Sequence, residues 1–107
     1  MMWKVEYLSA ALEDLNKLDH SQRVVIVNKI NQVAENPLPK NEGGYGDPLG
    51  NISGIKLAGY CKIKLLKLGI RVVYLPVKSS ETMKIIVVSA RADDEVYLIA
   101  QKRTKTD

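Results

Sequence analysis

An α+β domain is the fold class that this sequence predicts, an antiparallel sheet with an N-terminal helical hairpin packed on one face and a short C-terminal helix. Two observations carry it. The apolar residues change period along the chain in the order strand, helix, helix, several strands in hairpins, helix, which is the order of an antiparallel sheet with helices gathered on one side. The run Met83 to Ala90 is nearly continuous in apolar residues, as in a central strand buried on both faces. At 107 residues the chain fits one compact unit, 1-107, long enough to bury a core without disulfides, with a long Gly/Pro-rich loop at about 37-53.

In chain order, Trp3-Lys4-Val5-Glu6-Tyr7 alternates strictly and predicts a half-buried strand with Trp3, Val5 and Tyr7 facing inward. Ser9 is placed to cap a first helix, in which Ala11, Leu12, Leu15 and Leu18 recur at helical spacing and Glu13 and Asp14 lie near the positive end of the dipole. Asp19-His20-Ser21 interrupts it, and Ser21 is the expected cap of a second helix running to about Glu35, since Asn36-Pro37 disfavours helix at the preceding residue. Within that helix Val24-Val25-Ile26-Val27 has strand propensity, which Ile30 and Val33 at helical spacing override. Pro37, Pro39, Gly43, Gly44, Gly46, Pro48 and Gly50 then make the long loop. Gly43-Gly44-Tyr45-Gly46 is not a phosphate loop, because no Gly-Lys-Ser/Thr follows it. Ile52 to Leu57 reads as a short strand, followed by strands Cys61 to Leu66, Ile70 to Val77 and Met83 to Ala90. Asp93, Asp94 and Glu95 open a final helix whose end carries Lys102 and Arg103, as the macrodipole favours, and the tail from Thr104 is expected to fray.

One cysteine excludes an internal disulfide, and Cys61 at an inward strand position reads as a small buried hydrophobe. The single histidine, His20, sits in a turn with no carboxylate or nucleophile partner beside it, so it reads as a loop residue. No membrane-length apolar run and no signal peptide are visible, and the expectation is a cytoplasmic protein without membrane association. The formal charge is +4, and it is unevenly spread: residues 1–53 carry 5 Lys/Arg against 7 Asp/Glu, residues 54–107 carry 11 against 5. Between Asp47 and Glu81 there is no carboxylate, while Lys56, Lys62, Lys64, Lys67, Arg71 and Lys78 fall inside that interval. A solvated sheet face explains such a run as readily as an anionic partner does.

The stretch Cys61 to Arg71 sharpens the choice. Alternation points Lys62 and Lys64 to one side and Cys61, Ile63 and Leu65 to the other. Leu68-Gly69 turns the chain into a hairpin. With Lys67 opposite Ile70, Leu66 faces Arg71, which brings Arg71 onto the face of Lys62 and Lys64. Three neighbouring cations repel one another, and an anionic partner such as a phosphate backbone is the expected answer to that repulsion.

Asn36-Pro37 after the second helix, Lys62-Ile63-Lys64-Leu65, Gly69-Ile70-Arg71-Val72-Val73-Tyr74, Arg91 and Glu95-Val96-Tyr97 together resemble the RelE/ParE toxin superfamily, and specifically the RelE-type mRNA interferases. The resemblance runs over nearly the whole chain. Gly-x-Arg-x-x-Tyr is common to the superfamily, whereas the two alternating lysines with Arg91 and Tyr97 match the RNA-cleaving branch. The chain departs from the pattern in a longer loop from Asn41 to Ser53 and in the absence of a basic residue at Leu57-Ala58-Gly59.

The resemblance implies the toxin of a type II toxin-antitoxin system, a metal-independent, cofactor-free endoribonuclease that cuts mRNA on the ribosome and is held by a cognate antitoxin. Cutting RNA without a metal requires a base for the 2′-hydroxyl, cations for the charge that develops on phosphorus, and an acid for the leaving 5′-oxygen. By resemblance Lys62 and Lys64 supply the base, Arg71 holds the phosphate with a fork suited to two oxygens, Arg91 stabilises charge and assists the leaving group, and Tyr97 stacks on or orients a nucleobase. Lys56 and Lys67 are the expected accessory RNA contacts. Crowded cations disfavour the charged ammonium, which is how lysine would serve as a base here. Read without the resemblance, Tyr97 is a core-facing helix residue packing with Leu98 or Ala100. Two alternatives stand beside the nuclease: a ParE-like toxin that inhibits DNA gyrase by binding, and a non-catalytic nucleic-acid-binding relative. The implied antitoxin is acidic or covers Lys62, Lys64 and Arg71, because burying unpaired cations is costly.

Overall fold

The computed structural model describes residues 2–52 and 54–105. Strand β1 (Lys4–Tyr7) leads into helices α1 (Ser9–Asn16) and α2 (His20–Val33). Short strands β2 (Asp47–Pro48), β3 (Asn51–Ile52) and β4 (Ile55–Lys56) precede the long hairpin strands β5 (Cys61–Leu65), β6 (Ile70–Val77) and β7 (Thr82–Ser89). Helix α3 (Asp93–Lys105) closes the chain. It takes in Thr104, where the sequence predicts fraying, while Thr106 and Asp107 lie outside the described residues.

The main sheet has the order β1-β7-β6-β5-β2, and β3-β4 form a separate ribbon. The β5–β6 and β6–β7 pairs are antiparallel as expected, but β1 pairs parallel with β7, so the sheet is mixed. Alternation within a strand fixes which side chains face inward and says nothing of direction when no turn joins the partners. Backbone bonds hold this pairing at both ends, from Lys4 N–H to Glu81 O at 3.0 Å and from Leu8 N–H to Ile85 O at 3.0 Å.

Strands β6 and β7 are buried on both faces, which requires cover on both. One face, with Cys61, Ile63, Val72, Tyr74 and Ile85, packs on Ala11 and Leu15 of α1 and Ile26, Ile30 and Val33 of α2. The other, with Val73, Ile86 and Val87, packs on Val96, Tyr97 and Ala100 of α3 and on Leu49, Ile55 and Leu57. The third helix is therefore not gathered with the first two. A bulge between Val73 and Tyr74 of the ladder sets Val73 opposite Val87 and Tyr74 opposite Ile85, leaving Ile86 as the extra residue. Two residues against one turns both Ile86 and Val87 toward α3.

The predicted loop is more structured than its glycines and prolines imply. Tyr74 Oη donates to Pro37 O at 2.8 Å in the interior, and Pro37, Pro39 and Gly46 are buried. A Cβ on Gly46 would run into the Tyr74 hydroxyl and lie 2.9 Å from Cys61 Sγ, so close approach, not a left-handed turn, requires glycine there. Burial pushes the Cys61 thiol up to about 11 and raises the Tyr74 hydroxyl as well. Cys61 is the buried hydrophobe that its position predicts.

Helix starts differ from the expected ones by a residue or two. Asp19, not Ser21, caps α2, accepting from Gln22 N–H at 2.9 Å while Ser21 Oγ donates to it at 2.8 Å. Ser9 is the first residue of α1 and provides no side-chain cap.

Where β1 ends, the exposed edge of β7 is completed by side chains. Asp14 of α1 accepts from Val88 N–H at 3.1 Å and from Arg103 of α3 at 2.6 and 3.1 Å, and Arg103 also donates to Ile86 O at 2.9 Å. The two partners are only 17% and 22% exposed, so this fork is a tertiary clamp and not a solvated pair. Asp14→Ala should lower the unfolding free energy by about 3 kcal/mol, read as a shift in urea midpoint at constant m-value. A loss under about 0.5 kcal/mol, the scale of a surface substitution, would rule the clamp out.

Candidate active site

The β5–β6 hairpin turns over four residues, Leu66 to Gly69, with Gly69 at φ 65°, so Leu65 faces Ile70 and Lys64 faces Arg71. The register expected from the sequence has Lys67 facing Ile70. The two registers differ by two residues, and a shift of two returns every side chain to its original face. Lys62, Lys64 and Arg71 accordingly share the face that α3 covers, and Cys61, Ile63 and Val72 share the face that α1 and α2 cover. Leu66, displaced into the turn, is 85% exposed.

The opposing carboxylate comes from within the chain. Asp93, the first residue of α3, bonds Lys64 Nζ through Oδ2 at 3.0 Å and Arg71 Nε through Oδ1. Arg71 Nη1 donates to Arg91 O at 2.9 Å, which fixes the guanidinium from a second side. The hydrogen bond from Lys64 is the main cause that holds the Asp93 carboxyl below the usual aspartate range; burial opposes it, and the hydrogen bond from Arg71 and the charges of both cations add to the lowering. The repulsion read from sequence is thus answered by Asp93 for Lys64 and Arg71, before any partner is considered.

Lys62 is half-buried and its amine makes no hydrogen bond or ion pair among the described residues, which separates it from Lys64. Arg91 is exposed and its guanidinium pairs with Glu95 Oε2 at 3.0 Å, while its N–H donates to Ser89 Oγ at 3.1 Å. Lys67 is exposed in the hairpin turn and Lys56 is exposed on β4. Tyr97 is 6% exposed and packs among Val73, Val96 and Ala100, so its ring is core and is not free to stack on a nucleobase in this structure. Its hydroxyl has no hydrogen-bond partner among the described residues and is not a buried unsatisfied group, so it reaches solvent.

Asp93 and Glu95 are the site residues that sequence reasoning missed. The helix dipole accounts for both on local grounds, and the signal that could have found them is their position directly after the last strand, beside Arg91. Among the described residues no group of His, Cys, Asp and Glu is arranged to hold a metal ion, and no helix is long and apolar enough to cross a membrane. Lys64 and the fork of Arg71 can together bind an oxyanion.

Because the folded value of Asp93 is depressed, its contact contributes stability above about pH 4, where an unfolded aspartate is ionised, and loses it as pH falls through the lower folded value. Asp93 should titrate below the ordinary aspartate midpoint, and the Lys64 and Arg71 side-chain NMR signals should move with that same midpoint. Movement of either signal at an unrelated pH would show that the three groups are not coupled.

No protein-family model matches the sequence, and no curated protein matches it. Solved structures do. An arginine-to-alanine double variant of the E. coli toxin RelE in the free state is 26% identical, with a TM-score of 0.73, over 96% of this chain and 98% of that one. The isolated E. coli RelE toxin is 25% identical, with a TM-score of 0.68, over 95% and 98%. The RelE double variant in complex with a peptide of the antitoxin RelB is 25% identical, with a TM-score of 0.70, over 94% and 95%. The chain matches those toxins nearly end to end and is similar in fold to the RelE-type toxins.

Proposed function

We propose that this toxin cleaves mRNA in the decoding site of the ribosome by attack of an internal 2′-hydroxyl, and that a protein antitoxin restrains it. The observation that carries the reading is the convergence of Lys64 and Arg71 on one oxyanion, the Asp93 carboxylate, with Arg71 braced by the Arg91 carbonyl and Lys62 on the same sheet face. Arg71 and Lys64 bind the scissile phosphate and stabilise the charge that builds on it. Lys62, in its neutral form, takes the proton of the 2′-hydroxyl as that oxygen attacks phosphorus. Arg91 lies at the rim and stabilises the departing 5′-oxygen, which is protonated by water. No step needs a metal or a cofactor. The likeness to RelE bound to an antitoxin peptide supports an antitoxin partner, and the basic second half of the chain supports an acidic one.

The experiment is to map RNA ends on ribosomes programmed with a defined mRNA. Products should carry 2′,3′-cyclic or 3′-phosphate ends, and a 2′-deoxy nucleotide at the cut should abolish cleavage. Arg71→Ala should lower the single-turnover rate about a hundredfold with ribosome binding nearly unchanged, because it removes an interaction that strengthens in the transition state. Uncut mRNA together with DNA damage on induction would point instead to gyrase inhibition.

Tyr97 separates a chemical role from a structural one. Tyr97→Ala should lower stability by about 3 kcal/mol, since it empties part of the second core, whereas Tyr97→Phe should leave stability within about 0.5 kcal/mol. Retained cleavage by the Phe variant makes Tyr97 a support of α3, and a lost rate at full stability makes its hydroxyl part of the reaction.

A further inference from the structure

We propose that Asp93 is an internal counter-anion that competes with the RNA phosphate for Lys64 and Arg71, so that substrate must displace it before cleavage. The inference rests on the nuclease reading of the site and adds a residue that the reading does not contain. A carboxylate and a phosphodiester each present two oxygens on one central atom, and both Asp93 oxygens are engaged, one by each cation. With Asp93 in place the two cations assigned to the phosphate are already satisfied.

Three features favour displacement over a fixed positioning role. The Asp93, Lys64 and Arg71 side chains are 36%, 35% and 29% exposed, a setting in which ion pairs are weak and water can replace them. Arg71 is held independently by the carbonyl of Arg91, so it keeps its place when Asp93 leaves. Asp93 stands in the first turn of α3, where unpaired backbone N–H groups and the helix dipole can receive the released carboxylate. Its neighbour Asp94 carries the same charge, is exposed, and its carboxylate has no ion pair or hydrogen bond among the described residues, which makes it an internal control.

The test uses the full chain with inorganic phosphate as probe, its affinity read from the Lys64 and Arg71 side-chain signals by NMR. Asp93→Asn should tighten phosphate binding about three- to thirtyfold, the range expected from freeing two partly exposed pairs, and Asp94→Asn should change it less than about twofold. In ribosome-dependent cleavage Asp93→Asn should lower the KM for mRNA and leave the single-turnover rate at saturation within about threefold. Equal tightening by both variants would reduce the effect to net charge, and unchanged or weaker binding by Asp93→Asn would overturn the competition. A collapse of the saturated rate would make Asp93 a positioning residue or a base. The phosphate titration reads without catalysis, so loss of cleavage in every variant, wild type included, would fail the nuclease reading, while competition at Asp93 would still stand or fall on the phosphate affinities.

Discussion

The pairing of β6 with β7 is the constraint on which the rest of this structure depends. Both strands are buried on both faces, so neither a solvated face nor a single layer of helices satisfies them. The chain therefore places α1 and α2 on one side and α3 with the β3–β4 ribbon on the other. The bulge at Ile86 strengthens this division by giving the α3 side two adjacent β7 side chains, Ile86 and Val87, against the single Val73. Once α3 is required over that face, its first turn arrives beside the cations of the hairpin. The site is thus a by-product of core packing as much as of its own charges.

Much of this is legible in the residues, and the failures share a physical character. Strand and helix identities follow from local periodicity, which is why the sequence delimits β6 to the residue and β5 to within one. The face shared by Lys62, Lys64 and Arg71 survives a wrong turn length because the error is an even number of residues. What the sequence does not encode locally escapes it: the parallel direction of β1, the side of the sheet taken by α3, the ordering of the 37–50 segment by the Tyr74–Pro37 hydrogen bond, and the pairing of Asp14 with Arg103 across 89 positions. Each depends on partners distant in sequence. Acids in a first helical turn and bases in a last one are adequately explained by the dipole, and that sufficient local explanation conceals the tertiary ion pairs of Asp93 and Arg103.

A site built from cations must hold them together when no substrate is present. One solution is a partner that covers the face, at the expense of a free protein with a strained surface. Asp93 supplies another, by placing one carboxylate between Lys64 and Arg71 and leaving Lys62 uncommitted. This division also distinguishes two lysines that are equivalent in the sequence. Lys64 is bonded to a carboxylate, and the Lys62 amine has no such partner among the described residues.

The geometry of α3 decides what kind of movement the site permits. Its middle is fixed by Val96, Tyr97 and Ala100 in the second core, and its far end by the Arg103 fork to Asp14 and the Ile86 carbonyl. Sliding or tilting the helix to withdraw Asp93 would break the fork, whose loss is set against the weak, partly exposed contacts of Asp93 itself. Rotation about the Asp93 side chain breaks only the latter. Ion pairs of similar composition at the two ends of one helix therefore do opposite work: the Arg103 pair, shielded from water, holds the backbone still, and the Asp93 pair, open to water, is the one that an incoming anion can exchange.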